Sequence, residues 1–390
     1  MIGEPRADAR PVTVMRSQQS TNARVEGAAT GYYQGTGGGA AAETANADRG
    51  NAAASSMRVP SARRVIAAAA LLAVALAAVG CSGSDGTDRG SAGASDGAEA
   101  TDEAPAADCD PARPATATDG PQTFSFAGEE RAYLLALPDD YDGTTAHPLV
   151  FSFHGFSSKK ESQNTYAAMA EQGTARGYVV VTPDALGDPR DWNYLGDPAR
   201  ADDFGFVDAL VVDLRQRLCI DADRVYAAGH SAGSAFTGFL QCKPPYRFAA
   251  VAMVAAFIPT TCRVDQATPS VIVFQGTADP AVPYDGGSVG GGPVGIPATL
   301  DTLAQYAEAY RCERPATEDE PAAGVETDTL TGCAGGSEVV LYTIVDGTHD
   351  WPGNASQPEA TGGQAYPATD TILDFFDSHA RAGETADDGT

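Results

Sequence analysis

Three residues of this 390-residue chain have types and settings that could carry out acyl transfer: Ser231, Asp279 and His349. Ser231 is the centre of Gly229-His230-Ser231-Ala232-Gly233, a G-x-S-x-G pattern that recurs around Ser95 and Ser288. In so Gly-rich a chain the pattern alone says little, so context has to separate the three. A serine hydroxyl becomes an exposed nucleophile where a strand runs into a tight turn and then a helix, which lifts it clear of the sheet. Arg224-Val225-Tyr226-Ala227-Ala228 reads as that strand, Gly229 and Gly233 leave room for the turn, and Ala235 to Leu240 reads as the helix. Ser95 instead lies in a low-complexity stretch and Ser288 in a Gly-rich loop.

The partners follow in the chain order Ser, acid, His, each just after a later strand. Asp279 follows Val271 to Phe274 within Gln275-Gly276-Thr277-Ala278-Asp279-Pro280, and His349 follows Val339 to Val345 within Asp346-Gly347-Thr348-His349-Asp350-Trp351-Pro352. His349 would take the Ser231 proton and pass it to a leaving alcohol, with Asp279 orienting the imidazole. His147, His154, His230 and His379 are weaker candidates, and Asp265, Asp285, Asp346 and Asp350 do not directly follow the right strand. An oxyanion needs donors. Phe151-Ser152-Phe153-His154-Gly155-Phe156 ends the third strand in a His-Gly turn, so the backbone N–H of Phe156 can join that of Ala232.

Positioning these groups takes an α/β framework. Strands are expected near Thr123 to Phe126, Arg131 to Leu137, Leu149 to Phe153, Tyr178 to Thr182, Val225 to Ala228, Ala249 to Ala255, Val271 to Phe274 and Val339 to Val345. They alternate with helical spacing over Ser162 to Arg176, Phe206 to Leu218, Ser231 to Leu240, Leu300 to Tyr310 and Thr369 to Ala380. That alternation predicts an α/β fold, a mostly parallel eight-stranded sheet with helices on both faces. Ala281 to Glu338 reads as a long insertion between the last two strands, of the kind that shapes a substrate mouth.

Taken together, these residues resemble the α/β-hydrolase esterase family that includes polyhydroxybutyrate depolymerases and feruloyl and acetyl xylan esterases. The resemblance spans roughly Gln122 to Ala380. It is carried by His154-Gly155-Phe156, Asp203-Phe204-Gly205-Phe206, Ile220-Asp221 with Arg224 to Ala227, Gly229 to Gly233, Gly276 to Pro280 with Val282-Pro283-Tyr284-Asp285-Gly286-Gly287, and His349-Asp350-Trp351-Pro352. It implies the fold, the Ser231–Asp279–His349 triad, and a hydroxyacid-polymer or plant-wall ester as substrate. Many relatives have Asn where Ala232 stands and Gly where Thr348 stands; neither change removes a reacting group.

Trp192, Tyr284 and Trp351 are the aromatics nearest the expected catalytic loops, and exposed there they would contact a ring or chain substrate. Six cysteines, Cys109, Cys219, Cys242, Cys262, Cys312 and Cys333, suit disulfides in an oxidising compartment, with many connectivities open. Topology suggests Cys219 with Cys242, since each ends a helix on the same side of the sheet. It also suggests Cys312 with Cys333 inside the insertion, which leaves Cys109 with Cys262. No cysteine or histidine spacing suggests a metal, and no cofactor is implied.

The remaining segments concern export. Residues 57–81 place Arg58, Arg63 and Arg64 before the apolar run Val65 to Val79, which is too short and Ala-rich to span a membrane, and end in Ala78-Val79-Gly80-Cys81. This is similar to a bacterial lipoprotein signal with Cys81 as the lipidated residue. Residues 1–56 read as a non-native or disordered leader, with Met57 the true start; 82–120 form a disordered tether, 121–381 the catalytic domain, and 382–390 a disordered tail. A net charge of −27 disfavours nucleic acid and anionic membrane surfaces, so membrane contact would run only through the lipid. The expected protein is an extracellular serine carboxylesterase acting through an acyl-enzyme on a polymeric or aromatic ester. The alternatives are an acyltransferase or peptidase on the same triad, or a non-catalytic surface-binding lipoprotein.

Overall fold

The computed structural model describes residues 109–115, 119–243, 248–259, 262, 268–313, 316–354, 356–357 and 359–381. The leader, the export segment with Cys81, residues 82–108 of the tether, the tail, Ser95 and Asp265 lie outside the described residues.

Strands whose residues are apolar on both faces form the centre of the sheet. β3 (His147–Phe153), β4 (Val179–Pro183), β6 (Ala250–Val254) and β7 (Ser270–Gly276) are buried along their whole length. That is the signature of parallel strands covered by helices on both sides. β5 (Ile220–His230) and β12 (Val339–Ile344) complete the parallel set, in the order β4-β3-β5-β6-β7-β12. At one side β2 (Glu129–Ala136) and β1 (Gly120–Phe126) run antiparallel, with β1 alternating between half-buried and exposed residues as an edge strand should.

Alternate residues along each strand feed two separate cores. Leu149, Phe151 and Phe153 pack with α3 (Asp203–Arg217), α4 (Ala232–Leu240) and α5 (Thr299–Ala309) on one face. Val150, Tyr226 and Ala228 pack with α1 (Lys160–Ala167), α2 (Met169–Ala175) and α6 (Ala368–Asp377) on the other. Where the spacing predicts one helix over Ser162 to Arg176 there are two, because Ala168 takes a left-handed φ of 51° between them.

All eight expected strands are present, but the sheet has ten. The two additional strands lie inside the segment read as an insertion: β10 (Thr317–Ala322) and β11 (Val325–Leu330) extend β12 antiparallel. Their Glu, Asp and Thr content hid them, since an added antiparallel ribbon needs few apolar residues. The same segment holds a two-residue ribbon, β8 (Gly287–Ser288) with β9 (Gly295–Ile296).

The disulfides are Cys109–Cys219, Cys242–Cys262 and Cys312–Cys333. The last agrees with the expected pairing; Cys219–Cys242 and Cys109–Cys262 do not form. The reason is the path of residues 109–115, which lie along the loop before β3. Cys109 and Arg113 donate backbone N–H groups to Thr144 and Gly143, and Tyr141 Oη accepts from the Cys219 N–H at 2.7 Å while donating to the Arg113 carbonyl at 2.8 Å. That loop holds Cys219 against the arm, leaving Cys242, at the end of α4, to meet the β6–β7 connection. Among the described residues, no helix is long and apolar enough to cross a membrane.

Candidate active site

The carboxyl ends of β3, β5, β7 and β12 point the same way, and the loops that leave them meet above the sheet. β5 ends at His230, and Ser231 turns the chain into α4 with φ 54° and ψ −117°. A non-glycine residue in that conformation is strained, and strain of this kind persists only where its surroundings enforce it. Here the enforcement is close packing. A Cβ at Gly229 would lie 2.2 Å from the Gly233 carbonyl oxygen, and one at Gly233 would lie 2.3 Å from that of Phe153. Neither position can hold a side chain, and together they press the turn against the end of β3.

The acid and histidine loops are laced to each other before they reach Ser231. The N–H groups of Thr277 and Ala278 donate to the carbonyls of Ile344 and Gly347, both at 2.9 Å, and the Asp346 N–H donates to Thr277 Oγ1 at 2.8 Å. Asp279, 5% exposed, accepts at Oδ1 from the N–H groups of Ala281 and Val282 at 2.8 Å and at Oδ2 from Gln275 at 3.2 Å. Oδ2 also lies 2.8 Å from His349 Nδ1, and His349 Nε2 lies 2.8 Å from Ser231 Oγ. A carboxylate at Nδ1 places the ring hydrogen there and leaves the Nε2 lone pair facing the serine hydroxyl, so Oγ–H donates to Nε2.

Beside Ser231 the β3 loop presents Phe156. Among the described residues, the N–H groups of Phe156 and Ala232 have no protein acceptor. His154 braces this loop: Nδ1 donates to the Gly155 carbonyl at 2.8 Å and Nε2 accepts from the Ala185 N–H at 3.1 Å. Burial holds its pKa below the ordinary value, against the opposing pull of the Gly155 bond and Asp184.

The structure brings together Ser231, Asp279, His349, Phe156 and Ala232, but it does not bring the three expected aromatics to the cleft. Trp192 is fully buried, stacked on Phe236 and donating Nε1–H to the His154 carbonyl at 2.8 Å, so it supports the loop from beneath. Trp351 is equally buried, with its Nε1–H on Thr369 of α6. Tyr284 is half-buried with its hydroxyl paired to Thr343 of β12. The cleft, about 270 Å³, is lined instead by Phe156, Ser158, Ser162, Gln163, Tyr166 and His230 around Gly155, Ser231 and His349. Phe156 is 58% exposed and supplies the open aromatic face. Gln163 and Tyr166, three apart on α1, went unread because they look like ordinary amphipathic helix positions; only their place just after the β3 loop signals them.

Tyr166 does more than line the wall. Its Oη accepts from the Trp351 N–H and donates to Asp350 Oδ1, both at 2.9 Å, so α1 holds the two residues that follow His349. Burial raises the Tyr166 pKa well above its ordinary value. Asp350 is thereby a positioning carboxylate, and its bonds from Thr348, Tyr166 and Gln357 outweigh burial to lower its pKa. Asp285 and Asp346 are exposed, His147 bonds Gly177, His379 bonds Phe375, and Ser288 is exposed in β8. Among the described residues no cluster could hold a metal ion.

A mostly parallel sheet with helices on both faces, carrying serine, acid and histidine on loops at its carboxyl ends, defines an α/β-hydrolase. No family model matches the chain. Esterase NocK of Nocardia uniformis subsp. tsuyamanensis is 30% identical over 292 residues, covering 67% of this chain and 83% of that protein. Feruloyl esterase C of Emericella nidulans is 26% identical over 243 residues, covering 59% of this chain and 82% of that one. Among solved structures, acetyl xylan esterase from Aspergillus awamori has a TM-score of 0.45 at 13% identity, covering 61% of this chain and 97% of that one. The chain belongs to the α/β-hydrolase esterase family and is an enzyme that hydrolyses carboxylic esters.

Proposed function

We propose that hydrolysis proceeds through a covalent acyl-enzyme on Ser231. His349 Nε2 takes the Oγ proton as Oγ attacks the ester carbonyl, and the oxyanion is received by the N–H groups of Phe156 and Ala232. The imidazolium then protonates the leaving alcohol, and His349 activates a water that returns the acid and frees Ser231. Asp279 fixes the imidazole's orientation and stabilises its charged form. The observation that carries the reading is the relay of two 2.8 Å contacts from Asp279 through His349 to Ser231 at a strained elbow.

For the acyl part, the exposed Phe156 ring and the name of the Emericella relative favour an aromatic acid of the feruloyl type, with a hydroxybutyrate polyester as the competing substrate. We also assign the protein to the cell exterior, exported through residues 57–81 and anchored by lipid on Cys81. Three disulfides suit that oxidising compartment.

The test is turnover by the purified protein and its Ser231→Ala variant on p-nitrophenyl butyrate, methyl ferulate and a hydroxybutyrate oligomer. Wild-type activity led by methyl ferulate and abolished in the variant supports the proposal. Preference for the oligomer moves the substrate to the polyester class, and a folded wild type inert on all three overturns the mechanism.

A further inference from the structure

We propose that His230, the residue directly before the nucleophile, selects substrate: its Nδ1 lone pair accepts a hydrogen bond from a hydroxyl group within a few bonds of the scissile ester. The inference rests on the serine-esterase reading above.

The ring of His230 is wedged between Tyr166, at 5.1 Å between ring centres, and His349, at 5.2 Å. Its Nε2 lies 3.3 Å from the His349 carbonyl oxygen. A carbonyl can only accept, so Nε2 bears the ring hydrogen. Burial, helped by the neighbouring His349, lowers the His230 pKa to about 4, so the ring is neutral through the pH range of most ester hydrolysis. A neutral imidazole has one donor and one acceptor nitrogen, which makes Nδ1 the acceptor.

Among the described residues no donor reaches Nδ1, and the atom faces Gly155. A Cβ at Gly155 would stand 3.3 Å from His230 Nδ1 and 3.3 Å from Ser231 Cβ. A side chain at Gly155 would press on both the nucleophile and this nitrogen; carrying none, Gly155 leaves them uncrowded in the one cleft that all three residues line. An ester offering only C–H groups there would strip water from Nδ1 and return nothing, whereas a hydroxyl donates to it. A polar group left unpaired in a closed site penalises the substrate that fails to satisfy it.

The hydroxyl has two possible sources, a hydroxyacyl group or an alcohol with a neighbouring hydroxyl, and the test separates them. Methyl 3-hydroxybutyrate is compared with methyl butyrate, and 2-hydroxyethyl butyrate with propyl butyrate, by kcat/KM. The wild type is expected to favour the hydroxylated member of at least one pair by about tenfold, and the pair that responds names the source. His230→Phe keeps a planar ring between Tyr166 and His349 but has no acceptor at the place of Nδ1, so the ratio should fall toward parity whatever the absolute rates. Ser231→Ala on methyl butyrate checks the esterase reading separately. A wild type indifferent in both pairs overturns the proposal even if the His230→Phe protein does not fold, and an undiminished ratio in a folded His230→Phe overturns it equally.

Discussion

The two ends of the parallel sheet are held together by different means. At the carboxyl end, where Ser231, Asp279 and His349 meet, several connections are long, and the turns that carry the three residues are packed backbone against backbone: a Cβ at Gly276 would lie 2.3 Å from the Gly347 carbonyl oxygen. At the amino end α2 reaches β4 and α3 reaches β5 through only a few residues, and the disulfides gather there. Cys219 directly precedes β5, Cys242 follows the helix that descends from the elbow, and Cys333 leads toward β12. Hydrogen bonds and glycine contacts hold side chains to fractions of an ångström, which the chemistry needs. Disulfides restrict the unfolded chain and leave local geometry to other forces. The contrast predicts that damage at the carboxyl end is read in rate and damage at the amino end in stability.

The sharpest separation comes from Asp279→Asn. It should lower kcat by about 10³- to 10⁴-fold, because the imidazole loses the partner that sets its tautomer, while thermal unfolding moves little; kcat that is nearly intact would remove Asp279 from the relay. The opposite signature belongs to the paired change of Cys109 and Cys219 to Ser. This bridge closes 110 residues of chain, and its loss should cost about 2–5 kcal/mol of stability in denaturant titration with kcat on a short ester near wild type. A large fall in kcat there would break the comparison.

His230 tests where the two readouts merge. Because burial and the neighbouring His349 lower its folded pKa to about 4, the unfolded chain, with an ordinary value near 6.5, binds this proton first. Its contribution to stability is therefore complete above about pH 6.5 and lost progressively as pH falls toward 4, by about 3 kcal/mol. In denaturant titrations across that window His230→Gln should show the shallower slope; parallel slopes would mean His230 titrates normally. The smallest effect expected is in Tyr166→Phe. It leaves the Trp351 N–H without its acceptor and should lower kcat about three- to tenfold, with KM for a short ester changed less. An equal loss in thermal stability and none in kcat would make Tyr166 a packing residue only.

Much of this molecule is legible in its residues, and the limits follow from physics. Strands buried on both faces announce themselves, as Val179-Val180-Val181 and Val271-Ile272-Val273 do, and the strand–turn–helix setting separates Ser231 from Ser95 and Ser288 before any coordinates. β10 and β11 stay hidden because one face of an added ribbon is solvated and its residues read as loop. The aromatics fail for another reason: proximity in sequence to a catalytic loop says nothing about which way a ring points. Trp192 and Trp351 turn inward as the loops' foundations, while Phe156, chosen for its N–H, carries the exposed ring. Disulfide pairing depends on where the 109–115 arm runs, and that is set by Tyr141 and Thr144, distant along the chain from the cysteines they guide.

The central claim is that Ser231 is the covalent nucleophile, and it is tested most directly by treating the active protein with a fluorophosphonate ester and mapping the adduct by peptide mass spectrometry. A single adduct on Ser231, accompanied by loss of esterase activity and slowed strongly in His349→Ala, is the predicted result. Labelling of another residue in step with the loss of activity, or full esterase activity in protein labelled at Ser231, would contradict it.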